Sequence, residues 1–80
     1  MANHPNRNWR SRWSVDLEAA TATHRDGWVF CFVPAPGQPG AFDGRCVARP
    51  DPLTPVHAQQ AARVAREAGE VYIAARQGRH

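Results

Sequence analysis

Lysine is absent from the 80 residues, and all ten basic side chains are arginine. Cysteine occurs twice and methionine once, and no apolar run approaches the roughly 18 residues that a membrane-spanning helix needs. Cys31 and Cys46 are too few for a disulfide scaffold, and their separation fits neither a zinc knuckle nor a redox pair. The opening Met-Ala-Asn-His-Pro-Asn-Arg-Asn-Trp lacks the apolar stretch of a secretory signal. These absences predict a cytoplasmic chain with both thiols reduced.

Chemistry-bearing residues are equally sparse. Ser11 and Ser14 are the only serines, and both sit beside arginines rather than near a base. Cys31 lies in an apolar run, where burial keeps a thiol protonated and inert. His24, His57, Cys31 and Cys46 fit no zinc spacing. Asp16 and Glu18 alternate along an exposed stretch, the pattern of a solvated strand face. The chain is therefore expected to be neither an enzyme nor a holder of metal or cofactor.

What is present is alanine, fourteen residues of it, with seven prolines and a net charge of +3. Arginine, alanine and proline richness together accompany GC-rich coding, although arginine is also the side chain best suited to phosphate. The positive charge gathers at the ends. Arg7, Arg10 and Arg12 have no acid among the first 13 residues, whereas residues 14–54 hold three arginines against five acids. A chain of this length buries only about 60–65% of its unfolded surface, so a partner subunit is the simplest supplement to its core.

The pattern along the chain predicts an α+β domain, a three-stranded antiparallel β-meander followed by one long C-terminal helix (β-β-β-α), over residues 11–80. Residues 1–10, polar and rich in asparagine, are expected to be disordered. Trp13, Val15, Leu17 and Ala19 alternate with polar residues, as on a half-buried strand. Asp26-Gly27 supplies a two-residue hairpin turn, and Trp28 to Val33 is rich in strand formers. That register places Trp28, Phe30 and Phe32 on the core face. Pro34 to Gly40 reads as a loop, Asp43-Gly44 as a second turn and Arg45 to Arg49 as a third strand. Thr54-Pro55 starts a helix with an N-cap and a proline at its first position, and Gly78 ends it. Gly69 interrupts that helix with either a kink or a close approach to the sheet.

In this register Val29, Cys31 and Val33, with Ala20 and Ala22, form a second apolar face that one helix cannot cover. The expected function is accordingly a small interaction or regulatory module that self-associates through its sheet. The alternative is nucleic-acid binding by Arg7, Trp9, Arg10 and Arg12, where basic and aromatic residues interleave.

Overall fold

The computed structural model describes residues 9–78. A 3₁₀ turn, Trp9–Arg12, leads into four strands: β1 Trp13–Asp16, β2 Thr21–His24, β3 Val29–Pro34 and β4 Phe42–Ala48. One helix, α1 Pro55–Arg76, follows. The strands form one antiparallel sheet in sequence order, so the domain is an α+β meander with a C-terminal helix, of four strands rather than three.

The extra strand comes from a turn within the stretch expected to be continuous. Asp16 pairs with Thr21, leaving Leu17, Glu18, Ala19 and Ala20 as the loop. The Asp16 carboxylate accepts the Ala19 N–H at 3.1 Å, and Ala20 takes the left-handed conformation at φ 57°. No Gly, Pro or Asn marks this reversal, and Ala20 bears a strain of about 1–2 kcal/mol there. The alternation through Leu17 and Ala19 is thus coincidental. Leu17 is 46% exposed.

The next hairpin turns about three residues instead of two. The His24 N–H donates to the Trp28 carbonyl at 2.7 Å, and the Gly27 N–H donates back to the His24 carbonyl at 2.9 Å. Gly27 closes this Arg25-Asp26-Gly27 loop at φ 115°. The His24 ring stabilises the longer loop by accepting the Asp26 N–H on Nδ1 at 3.0 Å. A one-residue slip turns every side chain of a strand over. Ala22 therefore pairs with Phe30 and is fully buried, while Thr21 and Thr23 take the outer face.

The third strand also differs. Asp43 and Gly44 lie within β4, and the reversal falls earlier, where the Ala35 N–H donates to the Ala41 carbonyl and Gly37 and Gly40 adopt positive φ. Gly44 stands opposite Phe32, and a Cβ there would lie 2.7 Å from the Phe32 ring. The glycine serves ring packing, not a turn.

The core lies between the sheet and α1 from Val64 onward. Trp13, Ala22, Trp28, Phe30 and Phe32 meet Val64, Ala68, Val71 and Tyr72. Tyr72 stacks on Phe32 at 4.2 Å between centroids and meets Phe42 edge-on at 5.4 Å. Arg76 lies over the Phe42 ring, its guanidinium carbon 4.7 Å from the ring centre. Trp13 donates its indole N–H to Glu67 at 3.1 Å, tying β1 to the helix.

The helix begins as its sequence requires. The Thr54 hydroxyl accepts the His57 N–H at 3.2 Å, and the His57 ring returns the contact to the Thr54 N–H, taking the place a glutamate holds in the usual capping box. At its other end Gly78 is left-handed at φ 77° and donates to the Ala75 carbonyl. The helix runs unbroken through Gly69, where an added Cβ would meet open space. No residue before Val64 is buried, so the first half, with Ala58, Ala61 and Ala62, extends past the core. The helix is about 33 Å long, longer than the surface it has to cover.

His24 is the one polar side chain buried among the described residues, edge-on to Trp13 at 4.9 Å. Burial lowers its pKa; the carboxylates of Asp26 and Glu67 oppose that shift, and Arg12 and Arg25 reinforce it. The folded state therefore holds the neutral ring, with Nδ1 as acceptor. Below about pH 6.5 the unfolded chain binds a proton that the folded chain resists, so stability falls with pH from there down through the lowered native value. Urea titrations between pH 5 and 8 are expected to show this slope, and His24→Gln should flatten it.

Candidate interaction site

Five residues were expected on the outer sheet face, and the register divides them. Val29 and Cys31 are half-buried there and Val33 is 42% exposed, but Ala22 is in the core and Ala20 is in the first turn, packed against the core. The face reads Ser14 and Asp16 on β1, Thr21 and Thr23 on β2, Val29, Cys31 and Val33 on β3, and Asp43 and Arg45 on β4. Its apolar part is a single strand wide and flanked by threonines. The correction follows from the three-residue turn.

The N-terminal basic cluster is also divided. Arg7 lies outside the described residues. Trp9 is half-buried against the core, with the Arg10 guanidinium 4.5 Å above its ring, so that one face of a base-stacking platform is already occupied. Arg10 reaches Glu70 of the helix at 3.7 Å. Of the segment expected to be disordered, residues 1–8 lie outside the described residues, and Trp9 and Arg10 belong to the Trp9–Arg12 turn. Among the described residues no three His, Cys, Asp or Glu side chains gather as a metal set. Cys31 faces outward beside Arg45 and Cys46 faces inward beside Phe30, on opposite sides of the sheet.

Two features the sequence did not reveal remain open. The first is β4 itself, an edge strand whose residues from Asp43 to Ala48 are all exposed. The direction of its backbone groups follows from its neighbours. Phe32 N–H donates toward β2, to Ala20, whereas Ala35 N–H donates to Ala41 across the β3–β4 hairpin. Odd positions of β3 thus bond to β4, and Val33–Asp43 and Cys31–Arg45 are the hydrogen-bonded pairs. Phe42, Gly44 and Cys46 consequently present their N–H and C=O groups to the outer edge, which no strand of the described residues covers. Beyond them the register shift opposite Val29 and Phe30 leaves Val47 in a bulge, which twists the end of the strand. Native edges are usually blunted by such devices. Here the bulge leaves Phe42–Cys46 regular.

The second feature is a cleft of about 340 Å³ between the uncovered half of α1 and the strands. Ala58, Ala61 and Ala65 form its helix wall, and Trp28, Phe30 and Cys46 its sheet wall. Arg49 and Leu53 close it from the segment entering the helix. That segment passes close against Gly27: an added Cβ there would lie 3.0 Å from Pro50 Cα, and Pro50 is buried. No described helix is long and apolar enough to cross a membrane. No family model, curated protein or solved structure matches the chain.

Proposed function

We propose that the protein is a non-enzymatic interaction module that pairs with a second copy of itself through the free edge of β4. The observation that carries this reading is the order Asp43-Gly44-Arg45 on a strand whose outward backbone groups belong to Phe42, Gly44 and Cys46.

Antiparallel pairing of two β4 edges permits only registers in which outward positions oppose one another. Centred on Gly44, the register places Phe42 opposite the partner's Cys46 and Gly44 opposite the partner's Gly44, giving about six backbone hydrogen bonds. The intervening positions then set Asp43 of each copy against the partner's Arg45, in the closer, non-hydrogen-bonded pairs about 4.5 Å apart. Shifting one way opposes Asp43 to Asp43, and shifting the other way opposes Arg45 to Arg45. Charge therefore selects the centred register, which is self-complementary as two-fold symmetry requires. Two four-stranded sheets join into one of eight strands, with both helices on the same side.

Opposite-charge cross-strand pairs contribute about 0.2–1 kcal/mol each, and like charges cost similar amounts. Arg45→Asp is expected to weaken the dimer roughly tenfold or more. The double exchange Asp43→Arg with Arg45→Asp should restore it, because the pairs reform with their signs reversed. Light scattering across a concentration series reads both outcomes. Val29→Glu separates this arrangement from a face-to-face dimer: it would disrupt the latter and leave edge pairing intact. A strictly monomeric wild type at high-micromolar concentration would reject self-association by either route.

A further inference from the structure

We infer that the cleft beside the first half of α1 binds a small apolar carboxylate, such as an aryl or short alkyl acid. This inference does not depend on self-association. Three observations converge on it.

The cleft has the size of a small-molecule site, at the lower end of the usual 300–1,000 Å³ range. Its walls are mostly hydrocarbon: Phe30, Leu53 and the methyl groups of Ala58, Ala61 and Ala65. Ala58 and Ala61 precede the first buried residue of the helix, Val64, and all three alanines are exposed, so an apolar occupant would remove exposed carbon from water on both sides.

Arg49 supplies the charge. It is exposed and has no ion pair with another described residue, unlike Arg10 and Arg63, which reach Glu70 and Glu67. A guanidinium offers a carboxylate two parallel hydrogen bonds. One cation against an apolar wall suits a monoanion with a hydrophobic body better than a phosphate dianion, whose binding favours several donors.

The third observation is an unsatisfied donor. Trp28, a wall of the cleft, is 3% exposed, and its indole N–H is buried without an acceptor among the described residues. Buried donors in folded proteins are nearly always paired, and an unpaired one calls for an explanation. The N–H itself is closed to solvent, so a carboxylate oxygen held by Arg49 would supply the missing acceptor only once the indole turns toward the cleft that it lines.

The test is an amide and indole NMR titration of the full chain with 4-phenylbutyrate, alongside its uncharged amide. Saturable shifts are expected at the Trp28 indole N–H and at Ala58, Ala61 and Ala65. Affinity for the amide, and for phenylbutyrate in Arg49→Gln, should be about tenfold lower, the loss typical of removing a charged hydrogen-bonding partner. Inorganic phosphate alone should leave the Trp28 resonance in place. Repeating the titration on Arg45→Asp separates the site from pairing, since the cleft residues are unchanged there. Absence of saturable shifts at millimolar ligand, equal affinities for acid and amide, or shifts located away from the cleft would overturn the inference.

Discussion

Replacing Tyr72 by alanine is expected to destabilise the protein by about 3–5 kcal/mol, the cost of emptying a large aromatic position in a core. Tyr72 is 2% exposed and joins three elements, with Phe32 of β3 stacked on its face and Phe42 of β4 against it edge-on. Removing the ring leaves a cavity and also ends both aromatic pairs, each contributing about 0.5–1.5 kcal/mol beyond area burial. Arg76 then loses the firm backing of Phe42, over which it lies. Small domains have total stabilities near the low end of about 5–15 kcal/mol, so the variant should be largely unfolded at 37 °C. Tyr72→Phe keeps the ring and is the control. Circular dichroism during urea titration should show a normal transition for Tyr72→Phe and little or none for Tyr72→Ala. A Tyr72→Ala protein within about 1 kcal/mol of wild type would refute the central role given to this stack.

The second large effect is expected at Gly27. Its φ of 115° is closed to side-chain-bearing residues, and an added Cβ would lie 3.0 Å from the Pro50 Cα and 3.4 Å from the Pro50 nitrogen. Backbone atoms cannot swing aside as a side chain can. Gly27→Ala therefore combines a conformational cost of about 1–3 kcal/mol with displacement of the Arg49–Leu53 segment. Gly37 supplies the comparison, at φ 72° with nothing within 4 Å of an added Cβ. Gly37→Ala should cost only about 1 kcal/mol, from the left-handed conformation alone. Urea midpoints at constant slope separate the two, and equal losses would show that Pro50 yields to the new methyl group.

Much of this fold could be read from residue chemistry. Thr54-Pro55 and Gly78 carry the helix boundaries because capping is a local event, settled by a hydroxyl, a missing N–H and a positive φ. Trp28, Phe30 and Phe32 point inward because three large alternating rings can be buried together only on one face. What was hidden depended on contacts distant in sequence. The Leu17–Ala20 turn is made of residues that favour helices, and only pairing with β2 and β3 forces Ala20 into its left-handed conformation. The hairpin at Asp26-Gly27 was legible, but Asp-Gly suits both a two-residue turn and a three-residue loop ending on a positive-φ glycine, and the longer form found here also has the His24 ring accepting the Asp26 N–H. The one added loop residue moved Ala22 from the outer face to the core.

Gly44 shows the same limit from the opposite direction. Asp-Gly is a strong turn signal, yet here the glycine lies mid-strand because the Phe32 ring occupies the space of its side chain. The candidate site was correspondingly less legible. An apolar outer face could be inferred from alternation, but the open edge of β4 depends on strand order and on which amides point outward. The cleft depends on how far the helix extends beyond its core. Periodicity identifies a helical face without saying where along it the cover ends: Ala58 and Ala68 belong to the same stripe, yet only Ala68 is buried.

Edge pairing is tested most directly by covalent capture of its register. Two variants, Asp43→Cys and Arg45→Cys, each with Cys31 and Cys46 replaced by alanine, are mixed and oxidised gently. Positions 43 and 45 of opposite copies would stand about 4.5 Å apart, within disulfide reach, whereas each variant alone sets its new thiols off register. The account predicts a covalent heterodimer that forms in the mixture far faster than homodimers form in either variant alone. Equal cross-linking in all three samples, or none in the mixture, would contradict it.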